Sequence, residues 1–300
     1  MFTKKSEIIF IGAGKVAHTL LPLLIEKNYS VKGLVSRDIK SAQSFAKKYH
    51  IRFCSDTISK IPKSFRIFFI TVPDNAINSV AEELSYSNLQ FKECLFVHTS
   101  GSENSSALKT LAEKGGITSS FHIMQTFPSI KKVDIRNSFT AIETGSLTAE
   151  KFLFSLARIL GLKGIKLSIE NKVYYHLAGV FAANFLNANF FSSEKLLASA
   201  GLSSMGQYEL FKPIISATLS NIKNSGVENS LSGPVERGDY LTIAKHIAAI
   251  KKLKSGVGKI LLQSYISQSL VLLTVCERRQ KKLSAGQEEV KRILMSETRD

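Results

Sequence analysis

Two glycines set close behind an apolar run, and histidines near the ends of later ones, are the residues of this chain whose types and spacing could do chemistry. The stretch Glu7-Ile-Ile-Phe-Ile-Gly12-Ala13-Gly14-Lys15-Val16-Ala17 reads as a buried strand turning through glycines into a helix. Such a turn holds the pyrophosphate of a dinucleotide. Gly12 permits the tight turn, Gly14 lets the backbone approach the phosphates, and the small Ala17 lets helix and strand pack closely. The helix start then offers free N–H groups to an anion, so Gly12, Ala13, Gly14, Lys15 and Val16 are the expected phosphate cradle.

An ordinary glycine-bearing turn carries the same small residues, and the surroundings decide between the two. The helix expected from Lys15 to about Lys27 leads into a second apolar run, Tyr29 to Arg37. That run ends near the position, about 20 residues on, at which an acidic side chain takes the ribose 2′-hydroxyl of NAD. Ser36-Arg37 stands there instead. A hydroxyl and a guanidinium suit a 2′-phosphate, so NADP is the expected cofactor, and Asp38 keeps NAD possible.

Hydride transfer is mostly the cofactor's chemistry, which leaves the protein to position a substrate and to move one proton. His122, at a strand end on the cofactor side, and His176, on the first helix of the second half, are the candidate general acid–base groups. The plainer reading of each is a histidine satisfied by a hydrogen bond in a packed interface. Asn184 is a candidate for holding a substrate oxygen or nitrogen, against an amide bonded within helix packing. Glu236, Arg237 and Asp239 form a dense charged cluster. There Arg237 fits a substrate carboxylate in bidentate fashion, against a solvated loop with local ion pairs. Ser100 and Ser102 lack the GxSxG setting of a hydrolase nucleophile.

These residues need a scaffold, and the apolar pattern supplies one. The run Phe65 to Val72, stopped by Pro73-Asp74, reads as a central parallel strand; Thr71, Val72, Pro73 and Asp74 at its carboxyl end are expected to line the cofactor crevice. Asp74 or Asn75 is a plausible cap for a helix from Ala76 to Leu84. Cys94 to His98 repeats the design, with Thr99, Ser100 and Gly101 at its end. Further strands are expected at Thr118–His122, Phe139–Glu143 and Ile165–Ser168, with a helix from Glu150 to Leu160. Pro22 inside the first helix is expected to kink it.

From Asn171 the pattern turns to long helical periods, at about Lys172–Ala200, Ser203–Asn224, Tyr240–Lys254 and Gly256–Gln280, with a Gly-Pro loop at Leu231–Asp239. The charge-rich stretch from Glu277 to Asp300 reads as a frayed helix or tail. The expected fold class is therefore α/β: an N-terminal NAD(P)-binding Rossmann domain, residues 1–168, followed by an all-α substrate and dimerisation domain, residues 169–300.

Three hundred residues, 44% of them hydrophobic, suffice for two packed cores. Three scattered cysteines without a CxxC pair or a histidine at metal-ligand spacing fit a reduced cytoplasm and no metal site. The short apolar run before Gly12 does not read as a leader, and Leu177–Phe191 is short and carries Asn184, Asn187 and Asn189, so a buried helix is expected there and no membrane partner. A net charge of +16 without a basic or aromatic recognition module fits attraction of phosphorylated ligands better than nucleic-acid binding.

With these strand ends in place the chain resembles the dehydrogenase group that includes pyrroline-5-carboxylate reductase, 6-phosphogluconate dehydrogenase and the 3-hydroxyacid dehydrogenases. It is more closely similar to the Rossmann-like proteins with a C-terminal domain of unknown function 2520. Val97-His-Thr-Ser-Gly-Ser102, Phe121-His-Ile-Met-Gln-Thr-Phe127, His176-Leu-Ala-Gly179 running on to Asn184, and Leu231 to Asp239 carry that resemblance, which spans residues 5–285. Ile123 stands where that family usually has proline. The resemblance implies a C-terminal domain of the 6-phosphogluconate dehydrogenase-like type and an NADP-linked oxidoreductase. The 3-hydroxyacid dehydrogenases use a lysine four positions before an asparagine; here that slot is Val180, with His176 one turn earlier on the same face. The expectation is hydride transfer to or from a small C=O or C=N metabolite bound between the domains of a homodimer. A nucleotide-binding regulator or sensor with weak catalysis is the alternative that Val180 keeps open.

Overall fold

Strand β1 (Ile8–Ile11) is buried along its whole length because helices cover both faces of the sheet it sits in. In this computed structural model, which describes residues 1–202, 206–253 and 256–298, the strands are β2 (Val31–Val35), β3 (Phe53–Ser55), β4 (Ile67–Ile70), β5 (Leu95–His98), β6 (Ile117–Ile123), β7 (Phe139–Thr144) and β8 (Lys163–Lys166). They form one eight-stranded sheet in the order β3-β2-β1-β4-β5-β6-β7-β8. Strands β1 to β6 pair in parallel, β7 lies antiparallel to β6, and β8 parallel to β7. The reversal at β7 was not expected from the sequence. The order of the first six strands is that of a doubly wound dinucleotide fold, with the switch point between β1 and β4.

Residues of β1 alternate between two cores. Ile8 and Phe10 join Leu20, Leu24 and Phe45, whereas Ile9 and Ile11 join Phe68, Ile77 and Leu111. A period of two with both faces apolar gives the uninterrupted runs that mark these strands in the sequence. Helices α1 (Ala17–Glu26), α2 (Ile39–Lys48), α3 (Ile77–Ser85), α4 (Lys109–Glu113) and α5 (Leu147–Ile159) complete this part, of which the short α4 was not predicted.

Helix α1 runs to Glu26 with Pro22 buried inside it. Several expectations are corrected. Neither Asp74 nor Asn75 caps α3, whose N-cap is Ala76 without a side-chain bond. The last strand lies at Lys163–Lys166, two residues earlier than expected. The single helix expected over Lys172–Ala200 is α6 (Lys172–Gly179), a π-helical turn at Val180–Asn184, and α7 (Phe185–Ser199).

The chain divides into two compact units, Met1–Asn187 and Ala188–Asp300, so α6 and the π-helical turn pack with the sheet although the sequence pattern changes at Asn171. The second unit contains α8 (Gln207–Ser230), broken at Gly226, α9 (Pro234–Arg237), α10 (Tyr240–Lys251), α11 (Gly256–Gln280) and α12 (Ala285–Ser296). The expected helix start at Ser203 and end at Lys254 lie outside the described residues. Ile243, Ile247, Leu273, Cys276, Val290 and Leu294 form this unit's core. The most membrane-like helix by length and apolarity is α11, not the Leu177–Phe191 stretch; its Leu273 and Cys276 belong to that core. The expected tail is instead an ordered helix: a capping box of Ser284 and Gln287 starts α12, which buries Val290 and Leu294.

Candidate functional site

The glycine turn is built as its sequence requires. Gly12 has a φ of 102°, and a Cβ there would stand 2.8 Å from the carbonyl carbon and oxygen of Thr71. Thr71 ties the two strand ends together, its hydroxyl donating to the Gly12 carbonyl at 2.7 Å and its N–H to that of Ile11 at 2.8 Å. Residues 13–16 precede α1, whose first bond runs from the His18 N–H to the Gly14 carbonyl at 3.1 Å. His18 Nδ1 also lies 3.0 Å from that carbonyl, with its ring stacked on Phe45.

A cavity of about 360 Å³ opens above this turn, lined by Gly12, Ala13, Gly14, Ser36, Arg37, Thr71, Val72 and Pro73, with Asp56 and Glu83 on its far wall. Lys15 and Val16 lie beside it in the turn. Asp38 is committed elsewhere: its carboxylate accepts from the Ser41 N–H at 3.1 Å as the N-cap of α2. A glycine cradle that a Cβ would fill, followed by a hydroxyl and a guanidinium at the second strand's end, fits a phosphorylated dinucleotide.

The other strand ends build a second place. Of Thr99, Ser100 and Gly101, expected in the cofactor crevice, none lines that cavity, and Thr99 and Gly101 lie against His122. The Thr99 carbonyl lies 3.3 Å from His122 Nδ1, and because a carbonyl can only accept, Nδ1 carries the proton and Nε2 presents a lone pair. Burial, outweighing the Thr99 bond, and then the charges of Lys172 and His176 push the His122 pKa down to about 4. Asp74 accepts from the Ser102 hydroxyl at 2.9 Å, joining the loops after β4 and β5.

His122 and His176 meet edge to face, ring centroids 5.6 Å apart. With Asn184 they line a cavity of about 180 Å³, whose other walls are Met124, Gln125, Thr126, Gly179, Val180, Ala182 and Ala183. The three residues expected to do chemistry are therefore brought together within the first unit. Asn184 lies eight residues after His176 and four after Val180, on the helix face that also carries Gly179 and Ala183 to the cavity, and Val180–Asn184 is wound as a π-helical turn.

Glu236 and Arg237 lie in the second unit on α9. Glu236 is paired with Arg279 at 2.6 Å, and its backbone carbonyl accepts from Gln287 Nε2 at 2.6 Å. Its carboxylate thus serves the junction of α9 and α11. Arg237 is exposed, and Asp239 caps α10 through the Thr242 N–H at 3.1 Å.

The sequence does not single out the buried polar residues His98, Glu143 and Lys172. His98 was read only as the end of a strand and Lys172 only as the start of a helix. The signal that could have found Lys172 is its place four residues before His176, on one helix face.

Together the doubly wound sheet, the glycine turn and the histidine-lined strand ends define an NAD(P)-dependent oxidoreductase of the type with a Rossmann N-terminal and a helical C-terminal domain. Residues 7–99 match the family described as NADP oxidoreductase coenzyme F420-dependent, and residues 138–265 match the domain of unknown function DUF2520. An NADP-oxidoreductase match thus precedes a DUF2520 match along the chain, as its motifs led us to expect. No curated protein matches it.

Among solved structures, a Bacteroides fragilis protein assigned to the NADP oxidoreductases, BF3122, is 22% identical with a TM-score of 0.73, covering 91% of this chain and 99% of its own. Protein TM1727 from Thermotoga maritima is 27% identical with a TM-score of 0.66 over the same shares. A reductive aminase from Aspergillus terreus in complex with NADPH4, cyclohexanone and allyl amine has a TM-score of 0.65 at 13% identity, covering 89% of this chain and 94% of its own.

Proposed function

We propose that this oxidoreductase uses NADP(H) to transfer a hydride to or from a small C=O or C=N compound held against His122, His176 and Asn184. One observation carries the reading: a cavity of about 180 Å³ lined by all three of these residues, in the unit that also bears the glycine turn. When bound, the nicotinamide cofactor supplies or accepts the hydride.

The remaining steps belong to the chain's own residues. Ser36 and Arg37 take the ribose 2′-phosphate, and the turn at residues 12–16 takes the pyrophosphate. Asn184 orients the substrate through its amide. His122, neutral with a bare Nε2, accepts the proton when an alcohol or amine is oxidised and gives it back when C=O or C=N is reduced. His176, edge-on to it, is the second imidazole, which exchanges that proton onward. The fold shared with a reductive aminase supports C=N as a substrate class.

The protein acts as a homodimer. Exposed apolar side chains on the second unit's long helices, among them Ile214 and Leu219 on α8 and Ile260 and Val271 on α11, support that reading.

Calorimetric titration with NADPH, NADP, NADH and NAD tests the cofactor assignment, and a carbonyl and imine screen by loss of NADPH absorbance tests turnover. Tight NADP(H) binding with turnover lost in His122→Ala or His176→Ala supports the reading. Binding without oxidation of NADPH by any compound in the screen would favour a nucleotide sensor. Sedimentation analysis decides the dimer.

A further inference from the structure

The loop that joins β6 to β7 forms a wall of two cavities. Its first residues, Met124, Gln125 and Thr126, line the cavity at His122 and His176, and its later ones, from Lys132 to Arg136, line a groove of about 560 Å³ between the ends of α1 and α5. Both cavities lie in the first unit. The loop is fastened along its length. The Val133 N–H donates to the buried Thr19 hydroxyl of α1 at 3.1 Å, the Asn137 N–H donates to the Gly161 carbonyl after α5 at 2.8 Å, and Ile135 is buried in the core. Gln125 ties the two halves together, its Nε2 lying 3.4 Å from both the Asp134 carbonyl oxygen and the Ser138 hydroxyl. Residues 132–136 are thus joined to the wall of the histidine cavity by a short stretch of backbone and one side chain.

The groove has an apolar floor and a charged rim. Leu23 on α1, Ile159 and Leu160 at the end of α5, and Ile135 from the loop are buried or half-buried and supply the floor. Four cations and two carboxylates line it as well. Glu26 pairs with Lys132 and Asp134 with Arg136, both at 2.6 Å, which leaves Lys27 and Arg158 without an ion-pair partner among the described residues. Open helix C-termini would offset these charges with their free carbonyls. Here the last turns are closed: the Tyr29 N–H returns to the Leu24 carbonyl and the Leu162 N–H to the Ala157 carbonyl, both at 2.9 Å. Two unpaired positive charges therefore stand beside apolar surface.

We infer that this groove is a second ligand site, for a small organic anion with an apolar body, and that the loop carries its occupancy to the histidine cavity. Lys27 and Arg158 hold the anionic head, and Leu23, Ile159 and Leu160 pack against the body. The volume lies within the range of small-molecule sites. The glycine turn is not involved, since the cavity above it shares none of these residues. The plainer role of Arg158 is to complement the end of α5, and that role requires neither the apolar floor nor the loop. The regulatory sense of the site rests on the reaction proposed at His122, and its test is read without turnover.

Naphthyl phosphate is the probe, titrated calorimetrically into the full chain, into the double variant Lys27→Glu/Arg158→Glu and into Arg37→Ala. Both reversed positions are exposed, so the fold is not at stake. The probe is expected to bind the unmodified chain, at least about tenfold more weakly after the double charge reversal, and within about twofold of its original affinity in Arg37→Ala. Inorganic phosphate, which has the head without the body, should bind at least about tenfold more weakly than the probe. NMR on the chain with labelled histidine, His122 assigned through His122→Gln, reads the coupling. The His122 imidazole signals should move when the probe is added, and stay fixed in the double variant and in Gln125→Ala. No binding, equal affinity after charge reversal, loss of binding in Arg37→Ala, or equal affinity for inorganic phosphate would overturn the site. A bound probe that leaves His122 unmoved would overturn its regulatory role. Failure of the proposed reaction would show instead as full turnover by His122→Ala, and it would leave these titrations unchanged.

Discussion

The imidazoles of His122 and His176 meet with their planes 80° apart, and Gly101 is the residue that lets them. A Cβ at position 101 would fall on His176 Nδ1 and stand 2.8 Å from His122 Cε1. The glycine is needed here for space beside two rings, since the φ values that favour glycine occur elsewhere in the chain.

Gly101→Ala is therefore expected to rotate His176 away while leaving the glycine turn at residues 12–16 untouched. Turnover should fall by about a hundredfold or more, the size of effect that general acid–base groups supply. The NADPH dissociation constant should stay within about twofold, because a site at the other strand ends is independent at this distance. Stopped-flow reduction alongside calorimetry checks both, and an unchanged kcat would remove His176 from the chemistry.

Acid should destabilise the fold before it reaches the carboxylate range. Burial, with the Lys172 charge next, holds His98 at about 3, and burial holds His122 at about 4, both from an ordinary 6.5. Between pH 6.5 and pH 4 the unfolded imidazoles take up protons that the folded ones refuse, so the unfolded state binds more protons and stability falls as pH falls. Each group contributes on the order of 3 kcal/mol over its full range. Urea unfolding of the protein between pH 7 and pH 4 measures this, and His98→Gln should flatten the slope. A stability independent of pH over that window would show that both imidazoles are charged or solvated in the native protein.

Strands β1 and β4 could be read from the sequence because burial on both faces leaves nothing but apolar residues along them. The glycine cradle could be read because its spacing is a local property. The polar row His98–Ser120–Glu143 could not, because which residues stand side by side depends on the register of three strands distant in sequence. Lys172 was hidden for a related reason: a lysine at a helix start is ordinarily solvated, and only the sheet beneath buries it. The cavity that His122, His176 and Asn184 share was legible because a strand end and one helix face carry them. The π-helical winding of Val180–Asn184 itself leaves no mark in a 3.6-residue pattern.

The C-terminal helix α12 makes a local prediction. Ser284 accepts from the Gln287 N–H at 3.3 Å, while Gln287 Oε1 accepts from the Ser284 N–H at 2.9 Å and its Nε2 donates to the Glu236 carbonyl at 2.6 Å. One side chain thus caps α12 and anchors it to α9. Gln287→Ala removes both, and should destabilise the second unit by about 2 kcal/mol, a cap and a buried bond together. Limited proteolysis should then release a C-terminal fragment cut near Leu283, with NADPH binding retained. Loss of NADPH binding in the same variant would show that the second unit supports the nucleotide site.

Arg37 and Asp38 are adjacent in sequence and separated in setting, and that separation makes a prediction about the cofactor. Asp38 spends its carboxylate on the Ser41 N–H at 3.1 Å, whereas Arg37 faces the crevice above the glycine turn. Arg37→Ala should weaken NADPH binding by about tenfold to a hundredfold, the worth of a charge-assisted pair to a phosphate, and leave NADH binding unchanged. Asp38→Ala should act on stability, costing about 1 kcal/mol as a lost cap, and leave both nucleotides unaffected. Calorimetry on the two variants separates the assignments: tighter NADH binding that depends on Asp38 would mean that the carboxylate leaves its cap to hold a ribose hydroxyl, and the preference for NADP would then have to come from Ser36 and the turn alone.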